Sequence, residues 1–189
     1  FRSELTHLAE TYKLDYDLLE DAIDIYEAPR VERDGQNIYI YTRYCAADGH
    51  DIATEPLLII YTADHIVTIM RRSSTLFADI FSGKTPIITT QRTKTILQLL
   101  ETINVSYERH MKYVSRRVLA IRTQLSKTEL KNEDFIEFID IEEDLNEFLT
   151  ALQPQEAVFR SLLRGKYIPL YEDDKDLVED LSLNSTELM

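Results

Sequence analysis

Leu14–Val31 reads LDYDLLEDAIDIYEAPRV. The spacing predicts an acidic amphipathic helix that ends at Pro29-Arg30 and feeds a β-hairpin. Asp15 is a good N-cap, and Leu14, Leu18, Ala22 and Tyr26 recur at helical spacing, so one stripe is expected to face a core. Asp17, Glu20, Asp21 and Asp24 fall at i, i+3, i+4 and i+7, with no Lys or Arg at a helical step to offset them. Each like-charge i,i+4 pair costs about 0.2–0.5 kcal/mol in an isolated helix. Compensation is therefore expected from outside the helix, with Arg30, a basic partner surface or a bound cation as candidates. A plainly solvated acidic face stands beside them.

Upstream, Ser3 is placed to cap a short helix carrying Leu5, Leu8, Ala9 and Tyr12, which pairs with the acidic helix. Downstream the texture is β. Val31-Glu32-Arg33 and Asn37 to Cys45 flank the turn dipeptide Asp34-Gly35, and a polar loop with Asp48-Gly49 follows. Pro56 to Thr62 and His65 to Met70 make a second hairpin across Ala63-Asp64, its first arm apolar enough to be covered on both faces. A helix from about Ser74 to Ser82 ends at Gly83, with Pro86 beyond. This half reads as α/β with a mostly antiparallel sheet.

Beyond Thr90 the pattern is helical. Ile96, Leu100, Ile103, Tyr107, Met111, Val114, Val118, Ile121 and Leu125 step by three or four, a long helix with one seam. Phe135, Phe138, Ile141, Leu145, Phe148 and Leu152 form a second, and the two are expected to fold back as an antiparallel hairpin. Arg109, Lys112, Arg116, Arg117, Arg122 and Lys127 would then face the acids of the return arm, from Glu133 to Glu147, and Leu100, Val118, Phe138 and Leu145 would form the seam. Pro154 is expected to bend the return helix. After Gly165 and Pro169 a last acidic helix carries Leu170, Leu177, Leu181 and Leu188 on one stripe.

The chain has 189 residues and a formal charge of −13, which argues against nonspecific binding to nucleic acid or anionic lipid and favours cations or basic partners. Cys45 is the single cysteine, so no disulfide framework or multi-cysteine metal site forms within one chain. No apolar run has the length of a membrane span, and there is no secretory pattern. The opening on Phe1 and the uncapped final helix read as a piece of a longer protein. His7, His50, His65 and His110 are scattered without ligand spacing, four glycines supply no phosphate-cradling loop, and no carboxylate pair is singled out for acid–base work. Tyr39, Tyr41 and Tyr44 read as sheet packing. An enzyme is not expected.

The order of parts resembles the CorA family of divalent-cation channels. The similarity is carried by LLEDAIDIYEAPRVERDGQNIYIYTRY, LLIIYTADHIVTIMRR, the two long helices, LQPQEAVFRSLLRG and PLYEDDKDLVEDL. It departs from the family pattern in lacking the strands that usually precede Phe1, in Ala28 before the proline, and in the basic first long helix. The resemblance implies a cytoplasmic domain at the inner face of the membrane: an α/β/α sandwich with a mostly antiparallel or mixed sheet (residues 1–90), a long antiparallel helical hairpin (91–168) and the start of a stalk helix (169–189). It implies a homopentamer in the complete protein, with this chain alone monomeric or weakly associated, no nucleic-acid partner, and membrane contact only through helices beyond Met189. It also implies a weak regulatory Mg²⁺ site between neighbouring subunits, with Asp21 and Asp173 as the principal carboxylates and Glu20 and Asp176 as outer partners. A third acidic position of some members falls near Ser106. A zinc transporter of the ZntB type shares this architecture, and a free-standing α/β interaction module is the reading from a different class.

Overall fold

The computed structural model describes residues 2–48, 51–87, 90–125 and 132–189. Two short helices, α1 (Arg2–Tyr12) and α2 (Tyr16–Asp21), precede four strands, β1 (Arg30–Asp34), β2 (Asn37–Asp48), β3 (Asp51–Tyr61) and β4 (Ile66–Met70). One turn of helix, α3 (Ala78–Phe81), leads to α4 (Arg92–Leu125), α5 (Asn132–Leu163) and α6 (Glu172–Glu187). The strands form one antiparallel sheet in the order β1-β2-β3-β4.

Side chains along a strand alternate between faces, and here both faces are buried. Ile38, Ile40, Leu57 and Ile59 join a core with α4, α5 and α6, while Tyr39, Tyr41, Leu58 and Ile60 join a second core with Leu5, Leu14, Leu19 and Ala22. The result is an α/β/α sandwich. Burial on both sides accounts for the unbroken apolar run Leu57–Ile60. The β2–β3 ladder reaches from Ile38↔Tyr61 to Asp48↔Asp51, taking in residues expected to be loop. Pro56 is tolerated because β4 ends opposite Leu57, so β3 has become an edge there.

The helix expected over Leu14–Val31 forms only over Tyr16–Asp21. Asp15 does cap it, its side chain accepting from the Leu18 amide at 3.1 Å. Beyond Asp21, acidic side chains bond to the local backbone: Asp24 accepts from the Tyr26 amide (2.9 Å) and Glu27 from the Ala28 amide (3.1 Å). Such bonds compete with helix, and Pro29 disfavours helical backbone at Ala28. Leu19 is therefore the buried anchor, whereas Tyr26 is 85% exposed. Ser3 lies inside α1 and is not its cap.

α4 and α5 form the antiparallel hairpin, α5 continuing through Pro154 as one helix. α6 lies along both, parallel to α4: Thr93 Oγ1 donates to the Pro169 carbonyl (3.0 Å), Asn104 Nδ2 to the Leu181 carbonyl (2.9 Å), and Ser182 Oγ to Glu156 (3.1 Å). The sheet-proximal half of the hairpin is apolar, with Ile96, Leu100, Ile103, Tyr107, Phe148 and Leu152 buried. The distal half adds charge to a thinner apolar line of Val114, Ile121 and Ile141. Arg117 sits 2.8 Å from Asp144 and 3.6 Å from Glu137. With those groups inside, Val118 and Phe138, expected in the seam, are each 39% exposed, and Phe135, Ile136 and Ile139 also face out. Val178, Ser185 and Leu181, with Asp174 less completely, are what α6 buries, not the leucine stripe alone. His50 and Lys127 lie outside the described residues, as do the side chains of Leu125 and Glu133.

Candidate ion site

Asp21 is the last residue of α2, with its side chain 45% exposed, and Arg30 opens β1 across the turn from it. Arg30 Nη2 donates to Asp21 Oδ2 at 2.8 Å, Nε to Glu32 at 2.5 Å, and Nη1 contacts Glu27. The guanidinium also lies 3.8 Å over the Tyr41 ring. Burial works against its charge, yet the bonds to Glu32 and Asp21 and the surrounding field hold its pKa above the ordinary arginine value. The same burial pushes the Tyr41 hydroxyl well above its usual range. Arg30 thus compensates Asp21 among the acids of that face, but it is shared with Glu27 and Glu32 and the corner keeps excess negative charge. Glu20 beside it has only a 3.6 Å approach to the exposed Arg2.

The second acidic group opens α6. Asp174 is buried and accepts from the Tyr171 amide at 3.0 Å, a structural role at the helix start. Glu172 is bound by Lys175 Nζ at 2.7 Å, which raises the lysine pKa. Asp173 and Asp176 are exposed. Carboxylates in this first turn are favoured by the helix dipole.

Within one chain these two groups are not brought together. α2 belongs to the core on one face of the sheet and α6 to the core on the other. Among the described residues no group of three or more His, Cys, Asp or Glu is arranged to hold a metal ion. Ser106, at the third position, is buried and donates to the Ile103 carbonyl at 2.7 Å. His65 packs edge-on against Tyr12, and His110 Nδ1 lies 2.7 Å from the Ser106 carbonyl. Cys45 is buried, and desolvation pushes its thiol up to about 12.

The return arm contains acids whose role only the fold reveals. Glu147 accepts from the Thr54 amide (3.0 Å) and hydroxyl (2.6 Å), and Asp144 accepts from the Ile52 amide, so α5 caps the β2–β3 hairpin. Their spacing with buried Ile141 and Phe148 was the available signal: all four lie on one side of α5. Burial raises the Asp144 pKa while Arg117 opposes the rise.

Together these features define an acidic α/β/α sandwich carrying a long helical hairpin, with a third helix laid along it. The chain belongs to the CorA-like Mg²⁺ transporter protein family, whose sequence model matches residues 2–188. The soluble domain of CorA from Methanocaldococcus jannaschii has a TM-score of 0.86 at 23% identity, over 98% of this chain and 76% of that one. The complete CorA magnesium transporter from the same organism gives 0.87 at 22%, over 100% of this chain and 60% of that one. The ZntB cytoplasmic domain from Vibrio parahaemolyticus gives 0.78 at 12%, over 98% of this chain and 74% of that one. No curated protein matches the chain in sequence. The chain thus spans about three-fifths of the complete relative's length, and among the described residues no helix is long and apolar enough to cross a membrane.

Proposed function

We propose that this chain is the cytoplasmic, ion-sensing domain of a CorA-like Mg²⁺ transporter. Asp21 of one copy and Asp173 of its neighbour would hold Mg²⁺ between subunits, with Glu20 and Asp176 contributing through water. The observation that carries the transporter reading is the family match across residues 2–188. The donor set suits the ion. Mg²⁺ keeps several waters and is commonly held by one or two carboxylates. Asp21 is free to turn toward it, because Arg30 retains Glu27 and Glu32 when Asp21 leaves. The affinity expected of so few protein ligands is on the order of millimolar.

In this reading residues 1–90 form the sandwich, 91–168 the hairpin and 169–189 the first part of a stalk, and the complete protein assembles as a pentamer. An ion shared between acidic subunits removes their repulsion only while the site is occupied. Its loss loosens the interface and favours opening, since the ion binds the closed arrangement better. The likeness to the ZntB domain keeps Zn²⁺ as the second cargo. Expression of the complete protein in cells lacking Mg²⁺ uptake tests the reading. Growth restored at low Mg²⁺ supports it, whereas Zn²⁺ flux without Mg²⁺ flux moves the assignment to zinc.

A further inference from the structure

A cavity of about 760 Å³ lies between the far end of the β2–β3 hairpin, the segment linking β4 to α3, and the middle of α4. It is remote from Asp21, which lies on the other face of the sheet. Its chemistry is set by one buried carboxylate. Glu55, 5% exposed, accepts two bonds from Arg71 (3.0 and 2.8 Å), and Arg72 Nε approaches the same oxygen pair at 3.2 Å. Arg71 neutralises Glu55, and Arg72 is held by Nε alone, so the outer edge of its guanidinium keeps donors for another group. Arg109 enters from α4 and has no ion pair among the described residues. Ser73 adds a hydroxyl donor, the Thr102 hydroxyl being already donated to the Gln98 carbonyl at 2.8 Å, and Val105, 44% exposed, gives the α4 side an apolar wall. Asp79, on the rim, is occupied by Lys84 at 3.0 Å, which leaves Glu101 as the opposing carboxylate of the lining with no ion pair among the described residues.

We infer that this cavity is a binding site for a small organic phosphate of nucleotide size, its phosphates held by Arg72 and Arg109. An anchored guanidinium is the side chain best matched to a phosphate, because its donors form a planar fork that pairs two oxygens at once. The volume falls within the range of about 300–1,000 Å³ usual for small-molecule sites, and it is larger than a bare phosphate needs. A hydroxyl and an apolar wall accommodate a sugar and a ring. Glu101 favours a ligand that arrives with Mg²⁺ already bound, since the cation offsets that carboxylate.

The test is calorimetric titration of this chain with ATP, with Mg²⁺–ATP and with inorganic phosphate, at about 0.15 M salt, where long-range surface attraction is largely screened. Saturable one-to-one binding of the nucleotide is expected, tighter with Mg²⁺, and inorganic phosphate should compete only weakly. Arg109→Ala, on an exposed position of α4, should weaken nucleotide binding by about tenfold, as loss of a charge-assisted bond does. Arg72→Ala should do likewise if it folds, and Arg109→Ala decides the matter if it does not. Arg116→Ala, outside the cavity on the same helix, should have no effect. Absence of saturable binding, or equal losses in Arg109→Ala and Arg116→Ala, would overturn the site. The inference does not depend on the inter-subunit ion site, so either can fail alone.

Discussion

Arg117→Met probes the least obvious feature of the fold, the ionic interior of the distal hairpin. The Arg117 and Asp144 side chains are 15% and 8% exposed, and their 2.8 Å bond joins α4 to α5 among the buried Val114, Ile121 and Ile141. Removing the arginine leaves a buried carboxylate without its partner, a loss of about 3–5 kcal/mol at neutral pH. For a chain of this size each kcal/mol shifts Tm by about 2–4 °C, so a fall on the order of 10 °C is expected. The pH dependence fixes the cause. Burial raises the folded pKa of Asp144, so its charged form weakens the fold as pH rises above the ordinary carboxylate value, and the effect vanishes below it. Without Arg117 the rise grows, so the deficit of the variant should shrink as pH is lowered from 7 toward about 4.5. Adding Asp144→Asn should recover most of the loss, because no buried charge then remains. Urea denaturation of the four proteins at both pH values reads all of this. A loss in Arg117→Met no larger than in Lys112→Ala, which removes an exposed pair worth about 0–1 kcal/mol, would refute the reasoning.

Other consequences are simpler. Val118→Asp should change stability little, since that side chain faces solvent, whereas Phe148→Ala, which empties a fully buried position against Tyr107, should cost about 3–5 kcal/mol by the same denaturation assay. Asp174→Ala should lower stability by about 1 kcal/mol through the lost bond to the Tyr171 amide, while Asp173→Asn should leave the melt unchanged. Cys45 should resist thiol reagents at pH 8 in the folded protein and react on unfolding, because its buried thiol is pushed up to about 12. In light scattering at micromolar concentration this chain alone should behave as a monomer or weak oligomer, because a short α6 offers little surface for association.

The sheet was legible because alternation and the Asp34-Gly35 signal are local. The apolar run Leu57–Ile60 even announced that both faces are covered. Gly35 takes φ +56° in the loop between Asp34 and Asn37, as a two-residue hairpin turn requires. Helix lengths near the N-terminus were not legible, because Asp24 and Glu27 choose local backbone bonds over a helix that the apolar spacing also permits. The distal hairpin misled for a different reason. Apolar periodicity identified a helical stripe in α5, but it does not say that Arg117, Asp134 and Asp144 face inward and turn Phe138 out. Of the residues proposed for an ion site, Asp21 and Asp173 could be marked by charge and resemblance alone. Their separation on opposite layers follows only from the fold, and an ion shared between them would require two copies.

The most direct measurement is Mg²⁺ flux through the complete transporter as internal Mg²⁺ is raised. Asp21→Asn and Asp173→Asn should each weaken inhibition by internal Mg²⁺ without altering ion selectivity, and the double variant should add little, since both disable one site. Wild-type inhibition in both single variants would contradict the inter-subunit ion site.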